Sequence, residues 1–181
     1  GAGDMASVNL FSYDPKRHEV TNGGSFIYKN CYDDIRYFLQ ISNELGLTPT
    51  LQIFDASGVR AALIFLEQGL LKEPLLLKFY FGGAELPIGL PPTLKSLEAY
   101  LDMLQGVRCN CFSACLGGDI FPLVPTTISL GGHVRLGLED YAYTDDGQPT
   151  NVDLVKRAVA VIESMGHQVA SPQDARSLIG V

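Results

Sequence analysis

"PLLLKFYFG", residues 74–82, reads as a β-strand that water touches on neither face. Leu75, Leu76, Leu77, Phe79, Tyr80 and Phe81 are apolar or aromatic at almost consecutive positions, whereas a strand wetted on one side alternates. Near-continuous runs of this kind belong to parallel sheets sandwiched by other elements. The fold class depends on whether the neighbouring segments supply that cover.

They do. Short runs of β character recur at "DMASVNLF" (4–11), "TPTLQIFD" (48–55), "VRCNCFSA" (107–114) and "HVRLGLE" (133–139), each separated from the next by a helix-like segment. The alternation is a repeated β/α unit, which predicts an α/β fold with a parallel sheet. Ile35, Phe38, Leu39 and Leu45 share a face of a helix over 33–45, closed by Gly46. A second helix spans 58–68 with Val59, Ala62, Leu63 and Leu66 inward, and a third starts behind Thr93 as N-cap and ends before Gly106. "DIFPLVPTTISLGG" is the weakest helix, because Pro122 and Pro125 suit a first turn. The strongest runs from Asn151 to Met165, and "SPQD" at 171–174 combines an N-cap serine, a first-position proline and a capping-box aspartate. Periodicity alone leaves a doubly wound sheet and an eight-stranded barrel both open. No G-x-G-x-x-G follows a strand, and "NGGSF" at 22–26 reads as a loop.

Composition narrows the function classes. The chain has 181 residues, 46% of them hydrophobic, with a net charge of -7 and a pI near 4.8, so a single domain over 1–181 has a core to bury. An acidic surface cannot replace the counterions of a phosphate backbone, which argues against nucleic acid. Apolar stretches stop well short of the roughly 20 residues that span a bilayer, and "GAGDMASVNL" has no signal-peptide pattern, so a cytoplasmic protein is expected. Three of the four cysteines lie in "RCNCFSAC", a C-x-C-x3-C spacing without the paired C-x-x-C knuckles of structural zinc sites. They read as reduced core thiols, with Cys109 and Cys111 on one face of a strand.

"GGHVRLGLEDY" at 131–141 breaks the apolar rule by placing Arg135, Glu139 and Asp140 at the end of a strand. Strand alternation puts Arg135, Gly137 and Glu139 on one face and Val134, Leu136 and Leu138 on the other. If the leucines face helices, the arginine and glutamate face the interior near the C-terminal end, where ligands of α/β folds sit. Either they form a simple ion pair, or they are a carboxylate metal ligand beside a cation for an acidic substrate, with Asp140 orienting Arg135. Gly131, Gly132 and Gly137 would allow close backbone approach. His133 at the start of the strand reads as structural, and His18 and His167 as solvated. Lys78 is either a snorkelling side chain or a phosphate contact, and "ELPIGLPPT" at 85–93 is a rigid loop on the ligand side.

"GGHVRLGLED", the preceding "LGGDIFPL" and the tail "NVDLVKRAVAVIESMGHQVASPQDARSLIG" resemble the β-keto acid cleavage enzymes, with similarity running from "DMASVNL" through "ELGLTPTLQIFD" to the C-terminus. The resemblance implies a zinc-dependent, homo-oligomeric (β/α)8 TIM barrel of which this chain holds about the last five β/α units. It implies a reaction in which a β-keto acid condenses with acetyl-CoA and the adduct splits into acetoacetate and a new acyl-CoA. In that scheme Glu139 is a zinc ligand, Arg135 and Asp140 are catalytic, and Ser7, Asn9 and Arg135 bind substrate. The other zinc ligands, two histidines in an H-x-H element, are expected outside this segment, because His18, His133 and His167 stand far apart. Two departures stand out: "PTLQ" places Thr50 and Gln52 where the family carries two acids, and Tyr141 stands where asparagine is common. A degenerate relative with a structural or ligand-sensing role is the alternative that they raise.

Overall fold

The computed structural model describes the backbone of residues 8–14 and 19–28, and residues 31–84, 86 and 88–179 with their side chains. Four strands, β3 (Thr50–Ile53), β4 (Leu75–Gly82), β5 (Cys109–Leu116) and β6 (His133–Val134), form one sheet in the order β3-β4-β5-β6. All three pairings are parallel. Consecutive order without reversal is the winding of a barrel, since a doubly wound sheet turns back on itself at a switch point.

The helix α1 (Tyr32–Glu44) leads into the sheet, the crossovers are α2 (Ala56–Glu67), α3 (Leu94–Asp102) and the short α4 (Val124–Ser129), and α5 (Asn151–Ser164) and α6 (Pro172–Ile179) follow. Their ends are set by local chemistry. Asp55 accepts from the Ser57 and Gly58 amides at the start of α2, and Thr93 accepts from Ser96 at the start of α3. Thr150 with Asp153 and Ser171 with Asp174 close capping boxes. Gly46 and Gly69, with φ of +66° and +73°, take the left-handed positions that stop α1 and α2. Pro122 and Pro125 sit in the first turns of a 3-10 turn over 121–123 and of α4, as their missing amides require.

One face of the sheet carries the core. Leu51, Ile53, Leu75, Leu77, Phe79 and Phe81 alternate towards the helices and pack with Ile35 and Leu39 of α1, Val59 and Phe65 of α2, and Leu97 and Tyr100 of α3. Each such side chain contributes about 1.5–3 kcal/mol by leaving water. Phe79 and Tyr100 stack at 4.8 Å, and burial pushes the Tyr100 hydroxyl up to about 12. A second cluster joins Val124, Leu154 and Ala158 to Phe121 and Tyr143. Among the described residues no helix is long and apolar enough to cross a membrane.

Two expectations change here. The first run does not enter the parallel sheet: β1 (Val8–Asp14) pairs antiparallel with β2 (Glu19–Tyr28) in a separate two-stranded sheet, which also makes "NGGSF" strand instead of loop. Four residues between them can reverse the chain but cannot hold the crossover a parallel neighbour needs. The second concerns "HVRLGLE", whose ladder stops at Val134 because residues 138–140 turn and the Asp140 amide donates to the Gly137 carbonyl at 3.1 Å.

Candidate active site

The face of the sheet opposite the helices carries a different chemistry. Gln52, Lys78, Phe112 and His133 are register partners across β3 to β6 and form one lateral row. The next row towards the strand ends holds Phe54, Tyr80, Ala114 and Arg135. Phe54 and Tyr80 stack at 4.9 Å, nearly coplanar at 15°. The Arg135 guanidinium lies 5.6 Å from the Tyr80 ring centre, which it reaches because Ala114, between β4 and β6, has almost no side chain. Such an arginine is held by the ring's negative face.

Arg135 continues β6 by one residue, its amide donating to the Ser113 carbonyl at 2.9 Å. Its Nε and Nη2 donate to Asp140 Oδ2 and Oδ1 at 2.9 and 3.0 Å, a bidentate pair. Nη2 also donates to Glu139 Oε2 at 2.9 Å. The two carboxylates are not equivalent: the Asp140 side chain is 5% exposed, that of Glu139 85%, and that of Arg135 30%. The hydrogen bonds it donates to Asp140 hold the arginine charged, above its ordinary range. Among the described residues Arg135 makes its side-chain hydrogen bonds through Nε and Nη2, and none through Nη1.

The turn that delivers Asp140 is clamped from several sides. Leu138 donates to the Asn151 side chain at the start of α5, and the Asp140 carbonyl accepts from the Gly117 amide at 2.8 Å. Gly83 in turn donates to the Leu116 carbonyl at 2.8 Å. A Cβ on Gly83 would overlap the Gly117 backbone, and one on Gly118 would run into Gly83, so the loops after β4 and β5 touch main chain to main chain. Gly89, with φ of +57°, brings its own backbone against the Phe54 carbonyl, where a Cβ would overlap it. Beyond Asp140, the buried Tyr143 sits edge-on to Tyr141 and Phe121 at 4.7 and 6.1 Å. Arg157 covers Phe121 at 3.9 Å and pairs with Asp146 at 3.2 Å.

The residues singled out from the sequence separate into three groups. Arg135, Glu139 and Asp140 come together, although Glu139 arrives through the turn and not by strand parity, and Leu138 on the supposed helix-facing side is 38% exposed. Ser7 lies outside the described residues, and of Asn9 only the backbone is described, in β1 opposite Ile27. His133 stands at the opposite end of β6, its ring 4.9 Å from Phe112 and its pKa lowered by burial. Lys78 lies mid-strand on the open face, away from the glycine loop. Of the three glycines expected at close approaches, Gly132 packs against Thr127, Gly131 serves its φ of +77°, and Gly137 has ordinary space. Tyr80 and Phe54 went unread because an aromatic in an apolar strand carries no mark of which face it takes. Among the described residues no three His, Cys, Asp or Glu side chains converge as a metal site. Glu139 by itself does not fit a zinc ion.

Comparison with known proteins gives this geometry a lineage. The chain is 32% identical over 156 residues to the 3-dehydrocarnitine:acetyl-CoA trimethylamine transferase of Rhizobium meliloti (strain 1021), covering 84% of this chain and 50% of that one. It is 29% identical over 161 residues to the 3-keto-5-aminohexanoate cleavage enzyme of Acetoanaerobium sticklandii, covering 88% and 58%. It therefore spans about half the length of these relatives. The apo structure of ObcA superposes with a TM-score of 0.69 over 97% of this chain and 43% of that one, at 15% identity, a likeness of fold. A family model described as beta-keto acid cleavage enzyme matches residues 2–181. The chain that sets Arg135 between Tyr80 and Asp140 belongs to the β-keto acid cleavage enzyme family.

Proposed function

We propose that this chain supplies the carboxylate-binding part of a β-keto acid:acetyl-CoA transferase, the reaction in which a β-keto acid and acetyl-CoA become acetoacetate and a new acyl-CoA. The observation that carries the reading is the Arg135 guanidinium, fixed by a buried bidentate aspartate and an aromatic face, with no hydrogen bond from Nη1 among the described residues. A fixed fork of donors is what a planar carboxylate requires. Asp140 sets the plane of the guanidinium, Tyr80 supports it from below, and Arg135 binds the acid group of the substrate.

Charge decides how binding proceeds. One arginine against two carboxylates leaves the cluster at -1, so an anionic substrate gains little until one carboxylate leaves. Glu139 is the one free to do so, being solvent-exposed and held by a single hydrogen bond, and its place on Nη2 is where a substrate carboxylate docks. A released Glu139 is then available as one donor to zinc. The remaining donors must come from outside the described residues or from another copy in a homo-oligomer, and substrate docking on Arg135 does not run through the metal. Residues 1–181 are read as the C-terminal part of one barrel domain, in a cytoplasmic enzyme whose partners are the small β-keto acid and acetyl-CoA.

The test is acetoacetate formation from acetyl-CoA across a panel of β-keto acids, with zinc measured per chain. Arg135→Ala is expected to raise KM for the acid by at least tenfold, and Glu139→Gln to lower bound zinc and turnover together. Normal turnover in both variants would sink the assignment. The second reading, a relative that keeps the fold for a structural or ligand-sensing role, is favoured by Thr50 and Gln52 at positions where the family carries acids. It gains the weight if zinc-loaded protein forms no acetoacetate.

A further inference from the structure

At the end of the sheet opposite Arg135, β5 begins with two thiols in contact. Cys109 and Cys111 point to the helix side, and the Cys111 thiol donates to Cys109 Sγ at 3.4 Å. They line a cavity of about 160 Å3 beneath Leu97, Leu101, Thr127 and Leu130. Cys109 is half-buried, whereas Cys111 and Cys115 are buried. Within this run the pair therefore joins one reachable sulfur to one protected sulfur already touching it.

We infer that Cys109 and Cys111 form a redox-reactive dithiol, which hydroperoxides close to a disulfide within the strand. The hydrogen bond from Cys111 stabilises a thiolate on Cys109 and lowers its pKa, and the same bond together with burial raises that of Cys111. Attack and resolution are thus divided between the two sulfurs. The Cys109 thiolate attacks one peroxide oxygen, the O–O bond breaks, and hydroxide leaves to take up a proton as water. Cys109 is then a sulfenic acid. The Cys111 sulfur attacks the Cys109 sulfur, the S–O bond breaks, and the departing hydroxide leaves with the Cys111 proton as a second water. Two thiols and one hydrogen peroxide give one disulfide and two waters, with two electrons passing from sulfur to oxygen.

The backbone permits closure. Two residues of strand span about 6.6 Å, near the upper end of the roughly 4.4–6.8 Å over which Cα atoms are bridged. Closure therefore requires a small buckle in the strand. Among the described residues β6 pairs with β5 from Phe112 onward and residues 109–111 pair only with β4, so they can buckle at little cost in pairing. A disulfide formed under such strain is easily reduced, which is the behaviour of a reversible modification.

The experiment treats purified protein with one equivalent of hydrogen peroxide at neutral pH, then counts thiols after denaturation and maps peptides by mass. The expected result is the loss of two of four thiols, the peptide from 109 to 135 lighter by two hydrogens, and full recovery with dithiothreitol. Cys115→Ser should lose two thiols in the same way, and Cys111→Ser should instead yield a dimedone adduct on Cys109. Should Cys111→Ser fail to fold, Cys109→Ser replaces it, and all three of its remaining thiols should survive. The inference is overturned if wild-type protein keeps four thiols, if Cys115→Ser abolishes the loss, or if dimedone labels wild-type Cys109 with no disulfide formed.

Discussion

The two faces of the four-stranded sheet obey different rules. On the helix side, Leu51, Ile53, Leu77, Phe79 and Phe81 have no exposed surface, and nothing polar intervenes within β3 and β4. On the other side, Gln52, Lys78, Phe112 and His133 form a mixed and partly exposed row that leads to Tyr80 and Arg135. The same backbone serves both because adjacent residues point in opposite directions. One face secures the fold. The other is free to hold charge, and it is where an arginine can be kept beside an aromatic ring.

Substitutions can break this division of labour. Phe79→Ala on the helix side should cost about 3–5 kcal/mol by opening a cavity, read as a lower denaturant midpoint with unchanged slope. If it costs less than every change on the opposite face, the contrast is wrong. Asp140→Ala should cost less, about 2–3 kcal/mol against the ~3–5 of a fully buried pair. Arg135 keeps 30% of its side chain in solvent and retains Glu139 as acceptor. Urea titration measures it, and loss of carboxylate binding in the folded variant would separate site from stability.

The smallest effect concerns His133. Burial against Phe112 depresses its pKa below the ordinary histidine value. Above that ordinary value the ring is neutral in both states. As pH falls through it, the unfolded chain takes up a proton that the folded chain resists, so stability declines. Midpoints measured from pH 8 to 5 should fall more for the wild type than for His133→Gln. Equal slopes would remove His133 from the buried part of the open face.

Much of the helix-side architecture was legible in the sequence, because it rests on local signals. Thr93, Ser171 and Gly46 mark helix ends by their own side-chain chemistry or lack of it, and the structure uses each as expected. The open face was legible only in part. Parity placed Arg135 correctly, but the two-residue ladder of β6 ends in a turn whose hydrogen bonds come from Gly117 and Asn151, distant in sequence. Likewise Gly83 and Gly118 announce flexibility in the sequence, although their role is contact with each other. The first run failed for a related reason: "DMASVNLF" carries strand character, but its partner is chosen by the next segment of chain, and that segment is another strand.

The main-chain contacts at Gly83, Gly117 and Gly118 bear on how the site can diversify. With Gly83 bonded to Leu116 and Gly117 to Asp140, the loops after β4 and β5 and the turn after β6 are joined rim to rim. A lengthened loop at any one of them must displace the other two, and with them the carboxylate that aims the arginine. Changes of chain length within these three segments are therefore expected to disturb the aim of Arg135, and changes away from them to spare it.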